Sequence, residues 1–190
     1  MGDGPARAEC AAKRPRAYVI VSDAIIGPMA RIFVRAARRD DLPAIEQLVA
    51  GMFHDLGTAD QPAVWNAELA QAFTERLGGD IAAYVTVDRA DRPVAVAIGV
   101  VDNRLPSPRR LTGQIGYVEW LATHAQYRRR GAARLALREL LRWFDERGIE
   151  AVDVHASDAA VPLYTELGFT APRATSLRRP RREPGADMGE

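Results

Sequence analysis

The sequence predicts an α/β protein: a mixed, largely antiparallel sheet with helices on both faces, in one domain. Three observations predict it. Apolar runs at strand spacing and stretches at helical spacing follow one another in the order β-α-α-β-β-β-α-β-α-β. Three successive strands in the middle require antiparallel hairpins. A strand, a glycine turn and a strong helix pattern around Gly131 form a βαβ unit, which requires one parallel pair.

Each element has a local reason. Ile32 to Arg35 reads as the first strand. Asp40 or Asp41 caps a helix with Pro43 in its first turn and Ile45, Leu48, Val49 and Met52 at helical spacing. Pro62 starts a second helix carrying Val64, Leu69, Phe73 and Leu77, and Gly78-Gly79 stops it. Ile81 to Val87 is a strand, followed by a turn over Asp88 to Pro93. Val94 to Val101 is almost wholly apolar and so is covered on both faces. Asn103 to Arg110, with Pro106 and Pro108, is an exposed loop before a long strand from Thr112 to Thr123. Ala132 to Glu146 is a helix with Leu137, Leu140, Leu141 and Phe144 inward, ended by Gly148. Ala151 to Ala156 is a strand and Asp158 to Leu167 a short helix. Phe169–Thr170 and Ala174–Leu177 form a closing hairpin.

Residues 1–30 are expected to be an N-terminal extension, Gly-, Ala-, Pro- and Arg-rich at its start, with Met29 a candidate natural start; residues 31–178 form the domain and 179–190 a basic tail. The chain has 190 residues, 47% of them hydrophobic, which suits a real core. Its 26 Lys and Arg against 25 Asp and Glu leave a net charge of +1, which argues against a nucleic-acid binder. A single cysteine, Cys10, excludes an internal disulfide and favours a cytoplasmic location. No apolar run approaches the ~20 residues of a membrane span, and no Cys/His spacing suggests a metal.

The segment Tyr127-Arg128-Arg129-Arg130-Gly131-Ala132-Ala133-Arg134 carries the chemistry. A strand, a tight turn and a helix start bring unpaired backbone N–H groups around one point, where the helix dipole adds positive charge. Four arginines surround it, which suits a di-anion such as a pyrophosphate. The same residues also read as a solvated basic helix start. The loop has neither the Lys-Ser/Thr ending of a triphosphate loop nor the G-x-G-x-x-G of a dinucleotide fold.

A second motif runs from His155 to Phe169, ending Leu163-Tyr164-Thr165-Glu166-Leu167-Gly168-Phe169. With these two motifs in this order and spacing, the chain resembles the GNAT superfamily of acyl-coenzyme A-dependent N-acetyltransferases over residues 31–178. Arg128-Arg129-Arg130-Gly131-Ala132-Ala133 is similar to the family's coenzyme A loop, Arg/Gln-x-x-Gly-x-Gly/Ala. Two departures stand out: Ala125 replaces a frequent proline, and Ser157 and Asp158 stand where many members carry an asparagine.

The resemblance implies a fold, a donor and a set of roles. Acetyl-coenzyme A is the implied co-substrate, with no metal. Its pantetheine is expected to pair with the backbone of Leu121, Ala122 and Thr123 like an added strand. Its pyrophosphate is expected on the N–H groups of residues 129 to 133, with Arg128, Arg129, Arg130 and Arg134 around it and Ser157 as a further coenzyme contact. Glu119 stands at the general-base position and Tyr164 at the general-acid position; each also reads as an ordinary structural side chain. His124, His155, His54, Phe53, Trp65 and Tyr117 are lesser candidates. Alternation places Glu119 and Trp120 on opposite faces of their strand. The implied acceptor is a primary amine on a small molecule or a peptide, with neither nucleic acid nor membrane as partner. A homodimer is left open, as related proteins often are dimers. The competing reading is a non-catalytic acyl-coenzyme A sensor or partner-binding module.

Overall fold

A computed structural model describes residues 31–58, 64–108, 110–172 and 176–177. The expectations for residues 1–30, Pro62, Ala174 and the basic tail lie outside these residues. The elements are β1 (Phe33–Ala36), α1 (Leu42–Asp55), α2 (Trp65–Arg76), β2 (Ile81–Val87), β3 (Pro93–Asn103), β4 (Gln114–Thr123), α3 (Ala132–Glu146), β5 (Val152–Val154) and α4 (Val161–Glu166). They fall into two compact units, one ending at His155 and the other beginning at Ala156.

The first unit holds a five-stranded sheet in the order β1-β2-β3-β4-β5. The first three pairings are antiparallel and β4–β5 is parallel, as the βαβ reading requires. On one face, Ile45, Leu48 and Val49 of α1 and Phe73 of α2 pack on Val85, Val96, Ile98 and Ala122. On the other, α3 brings Leu137, Leu140 and Phe144 inward, all fully buried. Gly99 and Gly116 make room for it: a Cβ on either would come within 2.7 to 2.8 Å of the Phe144 ring. Truncating a ring buried this way costs about 3–5 kcal/mol.

The turn into α1 is held by ions rather than by apolar contact. Buried Arg35 on β1 donates to both carboxylate oxygens of Asp41, at 2.6 and 2.8 Å, and to Asp91 at 2.8 Å. Asp41 also accepts from the Arg38 backbone N–H at 2.6 Å. Burial pushes the Asp41 carboxyl up, but the hydrogen bonds from Arg35 and Arg38 outweigh it and hold it below the usual carboxylate range. Removing one partner of such a pair leaves a buried charge alone and costs about 3–5 kcal/mol.

In the second unit, α4 ends at Glu166 and the chain folds back. Gly168 has φ +92°, and the N–H of Phe169 bonds the carbonyl of Tyr164 at 3.0 Å. That bond explains a departure from the expected closing hairpin: Phe169 and Thr170 finish a helix instead of starting a strand. Helix α4 also begins later than expected, because Ser157 spends its carbonyl on the N–H groups of Ala160 and Val161, at 2.8 and 3.2 Å, in a turn.

Candidate active site

The site is built from what happens to β4. Residues Gly116, Tyr117 and Val118 pair with Val152, Asp153 and Val154 of β5. There the pairing stops, so among the described residues the edge of β4 from Glu119 to Thr123 has no strand beside it. The expected strand Ala151 to Ala156 is shortened to three residues for the same reason: its partner turns away.

A β-bulge causes the turn. Ile98 of β3 opposes Trp120, but its neighbour Gly99 opposes Val118, so Glu119 is an extra residue. The bulge overturns the expected alternation of Glu119 and Trp120. Val118 opposes Gly99, on the α3 face. Trp120, two residues on, packs against Phe53 of α1 and Trp65 of α2, at centroid distances of 5.9 and 6.2 Å. Glu119 feels Asp102 and Arg76, the last residue of α2, and so belongs to this second face as well. Although the residue is exposed, partial burial of its carboxyl pushes its pKa up, the charge of Asp102 pushes it further, and Arg76 works against both.

Tyr117 opposes Val100, which packs on the α1–α2 core, so Tyr117 shares this face too. Its hydroxyl lies 2.5 Å from Nδ1 of His155, the residue after β5. Tyr117, Glu119 and Trp120 thus gather on the α1–α2 side of the strand fork. Phe53 and Trp65, named from the sequence as lesser candidates, are half-buried and pack against the hydrophobic core.

Beyond β4 the chain enters the arginine loop. Arg129 has φ +60° and Gly131 φ +77°, with Gly131 capping α3. Left-handed residues on either side of Arg130 curl the backbone so that successive N–H groups converge, as in an anion nest. The first N–H groups of α3 have no partner within the helix. Nothing lies within 4 Å of a Cβ added at Gly131, so the space over this backbone is open. Two anchors hold the loop. Buried Thr86 on β2 donates its hydroxyl to the carbonyl of Ala132 at 2.8 Å. Arg128 forms an ion pair with Asp55 at the end of α1 and donates to the Thr123 carbonyl at 3.3 Å.

The Asp55–Arg128 pair forms one wall of a cavity of about 310 Å³ that also touches Gln47, His54, Thr123 and His124. His124 itself caps the short turn Ala125–Tyr127, its Nδ1 accepting from the Gln126 N–H at 3.4 Å.

In the second unit, Tyr164 is buried and its ring meets Phe169 edge-on at 5.2 Å. Ser157 is exposed at the turn before α4. Among the described residues no group of three or more His, Cys, Asp or Glu is placed to hold a metal ion, and no helix is long and apolar enough to cross a membrane. Sequence reasoning missed Thr86 and Asp55. Neither carries a local signal, because each acts on a partner 46 or 73 residues away.

The fold is similar to that of several solved structures. One is a predicted acetyltransferase from Clostridium acetobutylicum solved with acetyl-CoA, with a TM-score of 0.69 and 21% identity over 78% of this chain and 96% of that one. Another is a GCN5-related N-acetyltransferase from Ralstonia eutropha JMP134, with a TM-score of 0.61 and 24% identity over 78% and 99%. A third is an aminoglycoside acetyltransferase from an uncultured soil metagenomic sample in complex with sisomicin, with a TM-score of 0.63 and 16% identity over 80% and 97%. No curated protein matches the chain. The model of the acetyltransferase (GNAT) family matches residues 50–169, from the end of α1 through the arginine loop to Phe169, and the chain therefore belongs to the GNAT acetyltransferase family.

Proposed function

We propose that the chain is an acetyl-coenzyme A-dependent N-acetyltransferase that transfers the acetyl group directly to a primary amine of a small molecule or peptide. The observation that carries this reading is the open edge of β4, running from Glu119 into the convergent N–H groups of residues 129 to 133. An extended thioester arm with two amides fits the first part, and a pyrophosphate fits the second. In this reading Leu121, Ala122 and Thr123 offer backbone partners to the pantetheine. Gly131, Ala132 and Ala133 let the diphosphate approach closely. Arg129, Arg130 and Arg134 supply charge that steers and tunes binding, while Arg128 stays tied to Asp55 and shapes the loop. Ser157 contacts the coenzyme.

Direct transfer must take a proton from the incoming ammonium and give one to the departing thiolate. Glu119 is the base, and its raised pKa brings it closer to the working pH. Tyr164 is the acid, a phenol able to donate to a thiolate. The amine attacks the thioester carbon, the C–S bond breaks, and the amide and free coenzyme A leave.

Calorimetry with acetyl-coenzyme A and coenzyme A, followed by thiol-release assays over a panel of primary amines, tests the proposal. Binding with thiol release supports it. Binding without release from any amine would favour a non-catalytic acyl-coenzyme A module, and no binding would end both readings.

A further inference from the structure

Acetyl transfer to an amine removes two protons from nitrogen. The first leaves the ammonium before attack. The second leaves the cationic nitrogen of the tetrahedral intermediate, and Glu119 can take only one of them. We infer that Tyr117 and His155 form the relay that takes the second proton; the relay rests on the proposed transfer to an amine.

The pair sits at the fork of β4 and β5. Tyr117 lies in the last stretch of their pairing, and His155 is the first residue beyond it. The open edge of β4 begins at this fork. Tyr117 and Glu119 are two residues apart, and the bulge keeps both on the α1–α2 side. The hydroxyl-to-Nδ1 distance is 2.5 Å, with ring centroids 5.7 Å apart and tilted by 52°. The contact is exposed, and β5 is already held by its own ladder. A solvent-facing hydrogen bond contributes little to stability, because water competes for both partners. Folding therefore has little need of it, while a reacting nitrogen at the fork would have direct access to it.

With the imidazole proton on Nε2, Nδ1 accepts from the Tyr117 hydroxyl. In the intermediate, the nitrogen's N–H bond breaks as its proton passes to the Tyr117 oxygen. The hydroxyl's own proton passes to His155 Nδ1. This leaves a neutral nitrogen, a neutral phenol and an imidazolium. The intermediate then collapses with cleavage of the C–S bond, and the thiolate takes its proton from Tyr164. Glu119 and His155 have gained one proton each and Tyr164 has lost one. The net release is the single proton that conversion of an ammonium and a thioester into an amide and a thiol requires.

The test uses the full chain with acetyl-coenzyme A and three probe amines: phenethylamine, 1,4-diaminobutane and a lysine-bearing peptide. H155A is expected to lower kcat about 100-fold, with the KM for acetyl-coenzyme A within twofold of the parent. Added imidazole should restore a large part of that loss, which a merely structural histidine would not permit. Y117F, which keeps the ring and removes the hydroxyl, should lower kcat about tenfold and resist rescue. Two results would overturn the relay: both variants turning over within twofold of the parent, or an H155A loss that imidazole leaves unchanged. Failure of the transfer reading would show instead in the parent protein, as no thiol release with any of the three amines, and would overturn the relay with it.

Discussion

The two ends of β4 are built from different materials. Past Thr123, the arginine loop is a backbone device: a left-handed Arg129, a left-handed Gly131 and a start of α3 whose cap residue makes no side-chain hydrogen bond. Around Glu119, the site is a side-chain device, with a carboxylate, a phenol–imidazole pair and three aromatic rings drawn from β4, α1, α2 and the residue after β5. On the proposed reading the first end holds a donor common to the whole family, and the second meets an acceptor particular to this chain. A backbone cradle needs only small residues and a permissive φ, so a short motif specifies it. A side-chain cluster is assembled by long-range contacts and can change residue by residue while the fold persists.

The difference sets the order of the predicted effects. The largest belongs to the side-chain end. Glu119→Gln should lower kcat about 100-fold, or ~2.7 kcal/mol of barrier, while coenzyme A binding by calorimetry stays within twofold. A matching loss of binding would mean that the two ends are not separate. Next is the anchor of the backbone end. Thr86→Val removes a buried hydroxyl from the Ala132 carbonyl, which should cost about 1 kcal/mol in denaturant unfolding and weaken coenzyme A binding several-fold with kcat little changed.

A smaller, signed effect concerns pH. A base whose pKa is raised loses activity as pH falls through that raised value, so the acid limb of the rate profile should lie above the ordinary glutamate value. Asp102→Asn removes a negative neighbour and should move the limb to lower pH. Arg76→Gln removes a positive one and should move it to higher pH. If both variants moved the limb in the same direction, Glu119 would not be the titrating group. The smallest effect is that of the arginines. Arg129→Ala and Arg130→Ala should each weaken coenzyme A binding only a few-fold at low ionic strength, and the difference from the parent should shrink in salt.

The same contrast explains what could be read from the chain alone. Strand β2 and helix α3 fall where the sequence puts them, because Gly78-Gly79, Gly131 and Gly148 mark their ends by local backbone demands. The arginine loop is legible for the same reason. The bulge at Glu119 is not, since an extra residue is defined only against the register of β3. The Tyr117–His155 bond spans 38 residues and the Arg128–Asp55 pair 73, and neither has a sequence signature. The end of β5 differs from its sequence expectation because strand propensity continues past Val154 while the pairing with β4 stops at Val118, where the bulge begins. Phe169 differs because its N–H, which a strand would need, is claimed by Tyr164.

On the proposed reading the backbone around Gly131, more than the arginines beside it, holds the donor. Calorimetric titration of coenzyme A into Gly131→Val tests it most directly. A Cβ added at Gly131 meets no protein atom within 4 Å, so the main folding cost is the left-handed strain of about 1–2 kcal/mol, and the protein should remain folded. This folded variant should bind no detectable coenzyme A while the parent binds. Parent-like affinity in Gly131→Val would contradict it.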